Sequence, residues 1–213
     1  MLALLLVSLA AAGPPEGLLP LVDRPGLQVD FAQAAWARGG GAEDAALACR
    51  PFAESLILCF TVREGTGRRL VTLRDLAAWE ADLSAVERAA TAGAAAGLGP
   101  ARPEPVAIEG DSRSYLLSAV GDGLDQAGLL HPDALAARFG GKPFAVGIPA
   151  QGVLLAVALG DPELEQMVAV GVRRLWESAE QPITATLYTW DGAAWLAWGE
   201  ARPTPTRVPR SLP

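Results

Sequence analysis

His131 is the single histidine of the chain, and it stands in Leu129-Leu130-His131-Pro132-Asp133. An imidazole two residues from a carboxylate can act as a general base oriented by Asp133. Ser114 or Ser118 could then supply a hydroxyl nucleophile. The sequence contains no G-x-S-x-G turn of the kind that exposes a hydrolase serine. A polar residue ahead of a helix that starts on proline accounts for His131 without chemistry, so no catalytic residue is assigned.

Glu109, Asp111, Asp122 and Asp125 form a loose acidic group around Gly121-Asp122-Gly123-Leu124-Asp125. They lack the alternating oxygen ligands and the distal glutamate of a calcium loop. Solvated loop carboxylates are the better account, and no metal is expected. Two carboxylates could in principle hydrolyse a glycosidic bond, but no spacing marks a pair. The sequence has neither a P-loop nor a G-x-G-x-x-G after a strand, so no cofactor is expected. Arg173-Arg174 falls late in a helix, where it complements the helix dipole.

Cys49 and Cys59 are the only cysteines. A bond between them would close a small loop and contribute about 2–3 kcal/mol. Two buried free thiols are the alternative. The spacing is not the C-x-x-C of a redox pair.

The aromatic residues near the C-terminus offer a different chemistry. Ile183–Trp190 and Ala193–Gly199 read as strands flanking Asp191-Gly192, the dipeptide of a two-residue type I′ turn. That register sets Tyr188 opposite Trp195, Leu187 opposite Leu196 and Ala185 opposite Trp198. Tyr188, Trp190 and Trp195 then share one face. Exposed, they would form a platform for sugar rings or peptide. Covered by the first half of the chain, they would fill an internal core.

The rest of the sequence must position these groups. The chain has 213 residues, is 51% hydrophobic and 19% charged, and carries a net charge of −7. That is material for one packed domain, or two small ones, and it excludes a wholly disordered chain. The negative balance argues against nucleic-acid binding. One histidine and two cysteines exclude most zinc frameworks.

Leu2–Ala12 (LALLLVSLAAA) reads as a secretory signal peptide over residues 1–12, with Ala10 and Ala12 placing cleavage before Gly13. It is too short to span a bilayer. An apolar N-terminal helix docked on the domain is the alternative. The two cysteines agree with export to the periplasm or the extracellular space.

Residues 13–30 are rich in proline and glycine near their start and are expected to be irregular. Phe31–Arg38 and Ala42–Ala48 read as weak helices, interrupted by Gly39-Gly40-Gly41. Glu54–Glu64 is a strand apolar on both faces, hence central. Arg68–Leu73 returns as a strand and Arg74–Ala81 as a short helix. Ser84 followed by Glu87 is a capping box that starts a helix to about Ala96. Arg102–Pro105 reads as a linker. In the second half Ser114–Ala119, Pro143–Ile148 and Val153–Leu159 read as strands, and Pro132–Phe139 as a short helix. Asp161 caps a long helix that begins at Pro162 and buries Leu164, Met167, Val168, Gly171, Val172 and Leu175. The expectation is a single α+β domain over 31–200. Two strand–strand–helix halves, about 31–100 and 106–200, share a mixed or antiparallel sheet that ends in a β-hairpin. The proline-rich 201–213 tail is expected to be disordered.

Three stretches carry a family resemblance. LILCFTVREGTGRRLVTLRDLAAWEADLSAVERAA (Leu56–Ala90), FAVGIPAQGVLLAV (Phe144–Val157) and QPITATLYTWDGAAW (Gln181–Trp195) resemble the bacterial YtpQ-like family, a conserved domain of unknown function. The resemblance rests on hydrophobic pattern with Pro149, Pro182 and Gly192. It implies an α+β fold and no activity or site residues. Thr91-Ala92 stands where that family's helix tends to end in Asn-Leu.

Two functions follow as expectations. The first is a non-catalytic exported module that binds or scaffolds an envelope protein or glycan, with Tyr188, Trp190 and Trp195 as the candidate surface. The second is a hydrolase built on Asp or Glu, with or without His131, which requires those groups to converge in a pocket.

Overall fold

A segment apolar on both faces needs cover on both faces, and Leu56–Glu64 obtains it. In the computed structural model, which describes residues 13–97, 106–108, 111–116 and 125–198, this segment is β3 (Leu56–Glu64). β1 (Leu19–Asp23) runs antiparallel along one edge. The other edge is shared by β2 (Arg50–Ala53), against the start of β3, and β4 (Gly67–Leu70), against its end. Leu56, Leu58, Phe60 and Val62 enter the main core, while Ile57 and Cys59 enter a smaller one with Leu47. Leu27 and Phe31 of α1 (Gly26–Ala37) cover that smaller core.

The expectation of an irregular 13–30 is corrected here, since β1 and the first turn of α1 lie within it. Pro20 is tolerated because β1, among the described residues, is an edge strand paired only with β3, where a missing N–H costs little. The glycine run does end α1, but α2 is only Ala42–Ala45. Thr72 and Asp75 cap α3 (Leu73–Ala78) reciprocally. The next helix, α4 (Leu83–Gly97), is capped not by Ser84 but by Asp82, whose carboxylate accepts from the Ala85 N–H at 2.7 Å.

The second sheet has the order β10-β9-β7-β8-β6-β5, and every pairing in it is antiparallel. Its strands are β5 (Val106–Ile108), β6 (Asp111–Leu116), β7 (Phe144–Gly147), β8 (Leu155–Ala158), β9 (Leu187–Trp190) and β10 (Trp195–Ala197). A 3-10 helix over Asp125–Leu130 leads into α5 (Pro132–Arg138). α6 (Pro162–Ser178) lies on one face of the sheet, and its Asp161 cap accepts from the Glu163 and Leu164 N–H groups. Leu164, Val168 and Val172 pack on Ala145, Leu155, Val157 and Leu187. The buried stripe is narrower than expected: Met167 and Leu175 are each 40% exposed.

The opposite face of this sheet meets the first sheet. Phe144, Val146, Tyr188 and Trp195 share one core with Leu18, Leu58 and Phe60, and Val86 and Ala90 of α4 close it. The architecture is therefore α+β, with two antiparallel sheets and a C-terminal hairpin.

The hairpin register differs from the expected one. Trp190 pairs with Trp195 and Tyr188 with Ala197, so the loop holds four residues, Asp191–Ala194. The Asp191 carboxylate accepts from the Ala193 and Ala194 N–H groups, both at 2.8 Å. Of the two residues that a type I′ turn would hold at positive φ, only Gly192 is there. The slip is two residues, so every side chain keeps its face.

The leader at 1–12, the linker at 102–105, the tail at 201–213, Glu109, Ser118 and Asp122 lie outside the described residues. For Asp111, Ser114 and Asp125 only the backbone is described.

Candidate functional site

β2 begins directly after Cys49, and its side chains alternate between the two faces of the sheet as in any strand. Arg50 and Phe52 thereby reach one side, with the guanidinium carbon 5.9 Å from the centre of the Phe52 ring. Glu87, one turn into α4, faces Arg50. Arg50 Nε donates to Glu87 Oε2 at 2.8 Å and a terminal nitrogen donates to Oε1 at 2.5 Å. The second terminal nitrogen donates to the Pro51 carbonyl at 2.8 Å. The hydrogen bond from Arg50 holds the Glu87 carboxyl below the usual carboxylate range, and the same bond raises Arg50. The bidentate pair is a fixed, fully ionised unit of zero net charge.

The hairpin supplies the opposite wall. Trp195 is buried, and its indole N–H donates to the Leu129 carbonyl at 2.8 Å. Trp190 stacks at a tilt on Trp195, with ring centres 5.5 Å apart, and is only half-buried. Between the hairpin, β2, α4 and the start of α5 lies a cleft of about 320 Å³. Arg50, Phe52, Glu87, Thr91, Leu130 and Trp190 line it. Glu87 and Thr91 also border a shallower depression of about 490 Å³, which runs along α4 from Ser84 to Ala95 and reaches His131.

The three aromatics expected on one face are on one face, but they do not form a shared surface. Tyr188 is 1% exposed, and its hydroxyl donates to the Glu54 carbonyl at 2.8 Å. Tyr188 and Trp195 are core residues; Trp190 borders the cleft together with an edge of the buried Trp195 ring, and Tyr188 does not. The signal for the remaining residues, Arg50 and Glu87, was absent from sequence spacing because 37 positions separate them. Cys49 and Cys59 form a disulfide, next to the Arg50–Leu58 pair that ends the β2–β3 ladder.

His131 occupies the cap position of α5 without capping it, and its Nε2 is buried with no hydrogen-bond partner. Asp133 does not orient it. Glu87 lines the same depression, yet its carboxylate is occupied by Arg50. Among the described residues, no group of three or more His, Cys, Asp or Glu side chains could hold a metal ion. No helix among them is long and apolar enough to cross a membrane. A further depression of about 690 Å³ lies on α6, lined by Met167, Val170 and Leu175, and it contains no aromatic ring.

Comparison with known proteins returns no relative: no protein-family model matches the chain, and no curated protein or solved structure matches it.

Proposed function

We propose that this protein is an exported, non-catalytic binding module whose ligand site is the cleft between α4 and the β9–β10 hairpin. One observation carries the reading. A half-buried Trp190 ring and a rigid Arg50–Glu87 pair face the same concavity, each held from behind by the fold. A preformed recess with one aromatic wall and a few fixed polar groups is the general form of a binding site. The ligand is a component of the cell envelope, glycan or protein. Membership of the YtpQ-like family is part of the proposal and brings no activity with it. Export is supported by the disulfide and by the apolar leader, since disulfides persist in oxidising compartments.

Hydrogen exchange of the intact protein, with and without cell-envelope extract from its source, tests the cleft. Protection should appear at 87–91, 129–132 and 190–195. Unchanged exchange throughout those segments sinks the reading. Fractionation with N-terminal sequencing tests export: Gly13 should be the first residue, outside the cytosol, and an intact Met1 in the cytosol would overturn it.

A hydrolase remains the second reading on one observation: Glu87 and His131 border the same depression. It requires Glu87→Gln to abolish turnover of a substrate while binding survives.

A further inference from the structure

The cleft's polar pair restricts what can enter it. Arg50 and Glu87 neutralise one another through two hydrogen bonds, so a charged ligand gains no net attraction and must compete with the partner already bound. The pair still has capacity. Two of the five guanidinium N–H groups are uncommitted, and each carboxylate oxygen retains a lone pair. Donors and acceptors therefore lie side by side, the pattern that a hydroxyl group satisfies from both sides. Trp190 adds a flat apolar face, braced from behind by Trp195. Leu130, Pro132, Ala193 and Ala194 complete the lining with small or apolar groups.

We propose, resting on the binding reading above, that the ligand is a neutral glycan with one pyranose face stacked on Trp190 and its hydroxyls shared between Arg50 and Glu87. The shared border at Glu87 and Thr91 lets the glycan continue along α4 towards Ala95. At 1.5 Å per residue, Ser84 to Ala95 spans about 16 Å, room for a chain of sugars rather than a single ring. A peptide is disfavoured because its backbone amides are spaced along a strand, whereas the polar groups here are gathered at one point.

The test uses the intact, oxidised, ¹⁵N-labelled protein. Cellotetraose, maltotetraose and chitotetraose serve as neutral probes, tetragalacturonate as the anionic probe and chitosan tetramer as the cationic one. A neutral tetrasaccharide should shift the Trp190 indole N–H and the Arg50 Nε–H signals at millimolar concentration. Trp190→Ala should weaken that binding by about five- to tenfold. Trp190→Phe, which keeps a ring in the wall, should weaken it less, and Trp36→Ala, on exposed α1, should leave it unchanged. If only a charged tetrasaccharide moves these signals, the ligand class is wrong and the binding cleft stands. If no saccharide moves them while envelope extract still protects 190–195, the glycan assignment is overturned alone. If neither has any effect, both proposals fail together.

Discussion

Tyr188, in the last hairpin, donates its hydroxyl to the backbone carbonyl of Glu54, 134 residues earlier, at 2.8 Å. The bond ties the second sheet to the two-residue turn between β2 and β3. Ser55 in that turn holds φ at +64°, a left-handed conformation that disfavours residues with a Cβ. Tyr188→Phe should lower stability by about 1 kcal/mol, the net contribution of one hydrogen bond. Burial raises the Tyr188 hydroxyl above the usual tyrosine value. The unfolded chain therefore ionises first, and stability should fall as pH rises above about 10. Chemical denaturation of both proteins across that range checks this: Tyr188→Phe should show the shallower decline.

The acid side carries two opposed effects. Glu87 lies below its usual range because Arg50 hydrogen-bonds it. Its contribution is present above about pH 4.3 and is lost as pH falls through the folded value. Glu87→Gln should cost about 1 kcal/mol at neutral pH and nothing at low pH.

Burial raises Asp23, which accepts from the Arg24 N–H at 2.7 Å and from Gln151 at 3.1 Å. Its contribution is complete below about pH 3.9 and declines as pH rises through the folded value. Asp23→Asn should therefore compare more favourably with the parent at neutral than at acid pH. Urea unfolding over this range measures both slopes, and parallel curves for parent and variant would refute the assignment.

Two helical glycines should respond in opposite directions to alanine. A Cβ at Gly93 in α4 would sit 2.7 Å from the Leu18 carbonyl oxygen, while one at Gly171 in α6 meets nothing within 4 Å. Gly171→Ala should stabilise by up to about 1 kcal/mol through helix propensity. Gly93→Ala should destabilise despite the same gain, because α4 or the backbone at Leu18, just ahead of β1, must move. Thermal midpoints of the two variants decide the matter.

Loss of the Cys49–Cys59 bond should cost about 2–3 kcal/mol. The Cys49→Ala/Cys59→Ala variant should unfold at correspondingly lower denaturant concentration. Alkylation of the native protein without reductant should add no mass; two labels per chain would contradict the disulfide.

Much of this was legible because local patterns survived packing. β3 declares its central place by being apolar on both faces, and the Asp161-Pro162 cap marks the start of α6. The hairpin faces were read correctly although the register was not, because a slip of two residues preserves side-chain alternation. The slip itself arose from the Asp191 side chain, which folds a longer loop than the dipeptide suggests. β1 was missed because a five-residue strand containing proline has no periodicity of its own and is specified by the edge of β3. The cleft was illegible for a similar reason. Arg50, Glu87 and Trp190 come from three distant elements, and only the packing of hairpin against helix brings them to one recess.

The shared core also sets an order of events during synthesis. Leu58 and Phe60 leave the ribosome well before Tyr188 and Trp195, which share their core. The amino-terminal sheet must therefore wait, part of its apolar surface unshielded, until the closing hairpin arrives. A message truncated before Leu187 would yield a chain that cannot complete its interior, however intact its first four strands.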